Sequence, residues 1–356
     1  MGLQSLSIRR FRCFASADLD LSPRLNVILG KNASGKTSIL EALYLLSRGR
    51  SFRTAYLNAA VQHGSAGFAL SARVMSRPFP IEIGLARQHD FLEAKVAGKA
   101  VTVLSQLAAV FPVQLLDDQA NQLINGGPKY RRQFLDWGTF HVEQRFYQTW
   151  QSYHRALKQR NILLKANRSE NEVAVWDVEL AKHGEQLSEI RGRYLLDICP
   201  RAIKSAEQAL DGVSVSIDYR RGWPVDVPLA ECLRMCAKRD RMFGVTHMGP
   251  HRADFAIRIN GRLAQESVSR GQGKVLAAAF LLAQADFYQS ESGLSCTLLV
   301  DDLAAELDAE HLRRVLLRIS EVGAQVIMTA IESLPALHET ADAMFHVKQG
   351  DCYRMV

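Results

Sequence analysis

Residues 25–41, LNVILGKNASGKTSILE, constrain the chain more than any other stretch. The apolar run Leu25 to Leu29 predicts a buried strand. After Thr37, the spacing of Ile39, Leu40, Ala42, Leu43, Leu45 and Leu46 predicts an apolar helix. Between them stands Gly-x4-Gly-Lys-Thr, Gly30 to Thr37, the strand–loop–helix form of a phosphate-binding loop. The residue types follow from the chemistry. Gly30 and Gly35 let backbone N–H groups turn inward around a polyphosphate, and the helix beginning near Gly35 adds its positive end. Lys36 reaches the β- and γ-phosphates, and the Thr37 hydroxyl is suited to ligate Mg²⁺.

At 356 residues the chain exceeds one typical core, so two lobes are expected. No apolar run reaches the roughly 18 residues of a membrane span, and MGLQSLSIRRFRCF lacks a signal-peptide core. The six cysteines are scattered, and reduced thiols in a cytoplasm fit best. Cys232 and Cys236 lie one helical turn apart with no second ligand pair nearby, a poor zinc site. The net charge is +7. Residues 126–245 carry 20 Lys and Arg against 15 Asp and Glu, most of that excess. A basic balance favours a polyanionic partner, nucleic acid first, against the plainer reading of a solvated basic surface.

Residues 2–29 read as three short strands, and residues 67–103 alternate in runs that predict an antiparallel sheet. FPVQLL, 111–116, is a further strand candidate. From Asn125 the texture becomes helical. Two long helical stretches are followed by VSVSIDYRRGW and a basic helix, LAECLRMCAKRDRM. The connector RRFRCF combines Arg9, Arg10 and Arg12 with two Phe, where an arginine near the phosphate loop suits either adenine stacking or a plain strand end.

Two further elements complete a catalytic pattern. The apolar strand Thr297 to Val300 ends in Asp301-Asp302, a Walker B element. Asp301 would hold the Mg²⁺ shell and Asp302 would orient or deprotonate the attacking water, against the alternative that both acids cap the next helix. Ser269, Arg270, Gly271 and Gln272 open an apolar helix, where Ser269 and the Gly271 amide would present donors to a phosphate. Since one loop already cradles its own nucleotide, a second phosphate-directed helix end makes sense facing the γ-phosphate bound by another copy. Such is the head-to-tail sandwich of ABC-type ATPases. The order P-loop, signature, Walker B, with Ser269 and Asp301 32 positions apart, supports it.

With GKNASGKTSILEAL, GRSFRT, NGGPKYRRQFLDWG, GPHRAD, SRGQGKVL and DDLAAELD on the page, the chain resembles the RecF family of bacterial recombination mediators, itself similar to Rad50 and SMC heads. The resemblance covers essentially the whole chain. It implies an α/β, ABC-type P-loop ATPase head, a mixed sheet plus an antiparallel β subdomain, formed by residues 1–125 and 246–356. A mostly helical arm, 126–245, is inserted. It further implies ATP and Mg²⁺ as cofactors and an ATP-dependent homodimer on single- or double-stranded DNA at gaps or junctions. RecR and RecO are the implied partners in loading RecA, in repair, replication and the SOS response. By position, the stretch Gly30, Lys31, Asn32, Ala33, Ser34, Gly35, Lys36, Thr37 and Ser38 is implied to bind ATP, Gln114 becomes the Q-loop residue and Thr329 the switch residue, where transporters usually carry His. Ala305-Glu306-Leu307-Asp308 resembles the D-loop, and His251 and Arg252 match a GPHR motif of open role. Ala33, Ala253 and Gly273 depart from the pattern, in place of Gly, an acid and a larger residue. A transporter subunit would carry its signature about a hundred residues after the P-loop, an ATP-linked nuclease a second acidic cluster, and an SMC-type structural protein hundreds of heptad residues. None of these patterns is present.

Overall fold

The computed structural model describes residues 2–355 except 77, 90, 304–308 and 333–339. The chain divides into two compact units, one formed by residues 1–120 and 285–356, the other by 121–284. The arm boundaries expected at 126 and 245 both fall inside the second unit.

The first unit begins with β1 (Gly2–Phe11), β2 (Phe14–Asp20), β3 (Leu25–Leu29) and α1 (Lys36–Arg48). There follow β4 (Gly67–Met75), β5 (Ile81–Gln88), β6 (Phe91–Val96), β7 (Lys99–Ala100), α2 (Ser105–Val110) and β8 (Val113–Leu116). β1, β2 and β4 to β7 form an antiparallel sheet in the order β2-β1-β4-β5-β6-β7. One face of its strands is buried in alternation, as for a sheet covered on one side.

The second unit holds α3 (Gln122–Asn125), α4 (Pro128–Val142), α5 (Phe146–Lys165) and α6 (Glu170–Ala209). Ser169 and Glu172 form a capping box at the start of α6. Next come β9 (Val215–Arg220), α7 (Leu229–Met235), α8 (Ala237–Phe243), β10 (Asp254–Ile259), β11 (Arg262–Leu263) and α9 (Ala264–Ser267). β10 pairs antiparallel with β9, which ties residues 254–259 to 215–220. The unit is therefore helical with a three-stranded sheet, β11-β10-β9. Its helices pack around Phe146, Tyr153, Leu180, Leu187, Trp223 and Leu229. α10 (Arg270–Ser292) then carries the chain out of the second unit.

The first unit resumes with β12 (Thr297–Val300), α11 (Ala309–Glu321), β13 (Gln325–Ala330), β14 (Ala343–Lys348) and β15 (Asp351–Arg354). These strands join β3 and β8 in a sheet ordered β15-β14-β3-β13-β12-β8, parallel except for the β14–β15 pair. β12 and β13 are buried at every position, as expected for parallel strands covered on both faces. One order matters most for function. β13 lies between β3 and β12, so the carboxyl ends of the phosphate-loop strand and the Asp301 strand flank Thr329. In open parallel sheets, ligand sites form at that edge.

Candidate nucleotide site

The loop after β3 has the shape a polyphosphate requires. A Cβ on Gly30 would lie 2.4 Å from the Val347 carbonyl and 2.7 Å from Ser34 Oγ. Gly35 has φ 119°, and a Cβ there would meet Cys13 Sγ at 2.6 Å and Phe14 Cζ at 2.8 Å. Ala33 takes φ 62°, the left-handed region that L side chains enter at a cost of about 1 kcal/mol. Alanine in place of glycine is therefore strained at this position. The Lys36 ammonium donates to the carbonyls of Gly30 at 2.6 Å and Lys31 at 3.1 Å. Burial lowers its pKa, and the negative charges of Asp302 and Asp301 act against that. Ser34 Oγ is buried with no hydrogen-bond partner. A loop with an orphaned hydroxyl, a curled lysine and a cradle that a Cβ would fill fits an anionic ligand.

At the ends of β12 and β13, the Thr37 hydroxyl donates to Asp301 Oδ1 at 3.0 Å and the Thr329 hydroxyl to the same oxygen at 2.7 Å. The backbone N–H of Asp302 donates to Thr329 Oγ1 at 2.9 Å. Asp302 itself has φ 45°, a strained conformation of the kind that gathers at functional sites. The structure thus unites Lys36, Thr37, Asp301, Asp302 and Thr329. Hard oxygen donors from a hydroxyl and a carboxylate are also the chemistry Mg²⁺ prefers.

Gln114 is placed differently. It lies within β8, opposite Leu298, three residues short of Asp301 along the paired strand, or about 10 Å at strand rise. Level with Asp301 is Asp117, because the Asp301 N–H donates to the Leu116 carbonyl at 2.9 Å. Burial, then the neighbouring Asp118 charge, raises Asp117 to about 6. The reading of the sequence passed over this residue, although LLDD at 115–118 repeats the pattern of LVDD at 299–302. Residues 305–308, matched to the D-loop, lie outside the described residues.

The signature residues open α10 in the second unit. The Gln272 N–H donates to Ser269 Oγ at 3.2 Å and the Ser269 N–H to Gln272 Oε1 at 3.0 Å, a reciprocal cap. An oxygen that accepts this bond still has its own O–H to donate. Ser269, Arg270 and Gln272 are exposed. A Cβ on Gly273 would stand 3.3 Å from Asn125 Nδ2, a contact that a small shift of that side chain relieves.

Three arginines of the second unit are turned inward. Arg131 pairs with Asp254, Arg160 with Asp177 and Asp240, and Arg191 with Asp136. Arg132 donates to the Ala253 carbonyl at 2.8 Å, at the position where the resemblance expected an acid. His251 is built into the same interior. Its Nε2 lies 2.9 Å from the Thr246 carbonyl, which can only accept, so Nε2 carries the proton and Nδ1 accepts the Tyr153 hydroxyl at 2.6 Å. Burial lowers the ring pKa to about 4, keeping it neutral at neutral pH. Arg12, near the phosphate loop, makes a two-pronged pair with the fully buried Glu41 at 2.6 and 2.8 Å, the structural alternative to adenine stacking.

The RecF/RecN/SMC N terminal domain model matches residues 2–353. The DNA replication and repair protein RecF of Shewanella denitrificans is 39% identical over 354 residues, covering 98% of each chain. That of Pectobacterium atrosepticum is 38% identical over 354 residues, again 98% of each chain. Among solved structures, the recombination mediator protein RecF-ATP in the RecFOR pathway superposes with TM-score 0.90 at 25% identity, over 100% of this chain and 98% of that one. An Smc head domain from Pyrococcus furiosus matches with TM-score 0.63 at 15% identity, over 99% and 96%, a likeness of fold alone.

Proposed function

Because the chain belongs to the RecF family of DNA replication and repair proteins, we propose that it is an ATP-gated DNA clamp of recombinational repair. Two copies close on ATP, each supplying Ser269 to Gln272 to the phosphate held by Gly30 to Ser38 of the other. The closed dimer holds single- or double-stranded DNA at gaps or junctions, and hydrolysis releases it. In this reading RecR and RecO are its protein partners in loading RecA.

The observation that carries the reading is the meeting of Thr37, Asp301 and Thr329 on one carboxylate oxygen beside Lys36. That is the constellation a P-loop ATPase needs. Thr37 and Asp301 would hold Mg²⁺, which would supply neutralisation of phosphate charge. Lys36 exchanges its two carbonyl partners for phosphate oxygens, and the partly buried setting strengthens that attraction. Asp302 orients the attacking water. Its carboxylate is one methylene shorter than a glutamate, which suits slow, switch-like turnover. A DNA-independent rate above about 10 s⁻¹, the enzyme median, would contradict that role. DNA is held mainly through phosphates, so binding is largely sequence-independent and weakens steeply with salt.

Light scattering with ATP or ADP, with and without gapped DNA, tests the clamp. Asp302→Asn should accumulate ATP-bound dimers. Ser269→Arg should bind ATP yet stay monomeric; unchanged dimerisation refutes the shared site. Lys36→Ala should lose ATP-dependent DNA binding, and full retained affinity counts against gating.

A further inference from the structure

The GPHRAD stretch, residues 249–254, is held at almost every residue and leaves one side chain over. The Gly249 N–H donates to the Gly222 carbonyl at 3.3 Å, and Arg191 donates to the Pro250 carbonyl at 2.8 Å. Tyr153 donates to His251 at 2.6 Å, Arg132 to the Ala253 carbonyl at 2.8 Å and Arg131 to Asp254 at 2.6 and 3.1 Å. Pro250–Arg252 form one tight 3-10 turn within this frame. The side chain of Arg252 takes no part. It is exposed, and among the described residues it has no hydrogen-bond or ion-pair partner.

The charge around it does not balance. Acting on Arg132 are the charges of Arg191, Asp254, Asp136 and Arg252. Both carboxylates are already committed, Asp136 to Arg191 at 2.8 and 3.0 Å and Asp254 to Arg131. Arg132 and Arg252 are thus left without an acid of their own. Lys129, exposed and three positions before Arg132 on α4, adds a third cation to that side of the helix.

We propose that Arg252, with Arg132 nearby, binds a backbone phosphate of DNA. This rests on the reading of the chain as a DNA clamp and names one of its contacts. A guanidinium offers two parallel N–H groups to two phosphate oxygens, and it stays charged at any working pH. The pinned turn presents it without further ordering of the backbone, so the ordering cost that remains is that of one side chain. The surrounding surface decides between DNA and an acidic protein. None of the large apolar residues of α4 or of residues 249–259 is exposed among those described. A protein partner needs such anchors, whereas a phosphate backbone needs charge alone.

Fluorescence anisotropy of the ATP-loaded protein on gapped DNA, over a series of salt concentrations, tests it. Arg252→Gln removes only an exposed side chain, and an unchanged melting temperature checks the fold. The slope of log affinity against log salt should become shallower by about one, the loss of one phosphate contact, and DNAs of different sequence should be affected alike. Arg252→Lys should recover the slope, because the charge returns, and stay below wild type in affinity, because the fork does not. A glutamine variant with the wild-type slope overturns the proposal. Weakened ATP binding with the DNA slope intact overturns it as well, by giving the arginine to a nucleotide phosphate. Wild type that binds DNA equally without ATP overturns the gating alone, and Arg252 is then judged on the same slope measured without nucleotide. Wild type that binds no DNA in either state overturns the clamp reading and this contact together.

Discussion

The hydroxyl of Thr329 donates to Asp301 Oδ1 at 2.7 Å while accepting the backbone N–H of Asp302 at 2.9 Å. One side chain on β13 thus fixes the direction of the first Walker B acid and the strained backbone of the second. A hydroxyl serves here because it accepts and donates at once. Thr329→Val keeps the volume and loses both bonds. It should cost about 1–3 kcal/mol in denaturant unfolding, through the unsatisfied partners, and should lower ATP turnover more than ATP affinity. Thr329→Ser should restore both quantities. A valine variant equal to wild type in turnover would show that this hydroxyl does not organise the acids.

Asp117 predicts a pH dependence of stability. Its folded pKa of about 6 stands above the ordinary 3.8. The ionised carboxylate is therefore disfavoured by folding. The penalty is absent below about pH 3.8, grows as pH rises and is complete above about pH 6. Asp117→Asn retains an oxygen for the Gln119 N–H, which now donates to Asp117 Oδ1 at 3.1 Å. The variant should be more stable than wild type by about 2–3 kcal/mol at pH 7.5, with a smaller gap at pH 4.5. Denaturant midpoints at both values check this; a pH-independent gap would contradict it.

The parts of this site that can be read from the sequence are the local ones. The phosphate loop, the apolar strand ending in Asp301-Asp302 and the cap at Ser269 are contiguous stretches whose residue types follow from their geometry. Asp117 reaches Asp301 through parallel pairing of β8 with β12, elements far apart in the chain, and Thr329, to which only the family resemblance pointed, reaches it through β13. A strand's pattern tells which positions are buried but not which strand lies beside it, and so Gln114 drew attention while Asp117 did not. Charge counting has a similar limit. It cannot say which cations lie outside: Arg131, Arg160 and Arg191 are buried, each paired with an acid.

Ala33 provides a conformational test. At φ 62° an alanine pays for its Cβ and a glycine does not. Ala33→Gly should stabilise the protein by up to about 1 kcal/mol, raising the melting temperature by about 2–4 °C for a unit of this size. ATP affinity should change little if the loop already holds its working shape. A lower melting temperature would mean that the glycine's unfolded-state freedom outweighs the relieved strain.

Arg160 is fully buried and donates to Asp177 at 2.5 Å, Asp240 at 2.7 Å and Thr246 Oγ1 at 2.9 Å. Removing one acid leaves a buried cation with half its compensation. Asp240→Ala should therefore cost about 3–5 kcal/mol. Removing the cation as well takes away the group that suffers most. Arg160→Met with Asp240→Ala should accordingly fall short of the summed single costs by about 1 kcal/mol or more. Equilibrium unfolding of the two single variants and the double variant measures that coupling. Strict additivity would show that Arg160 and Asp240 stabilise the unit independently, through Asp177 and His247 rather than through each other.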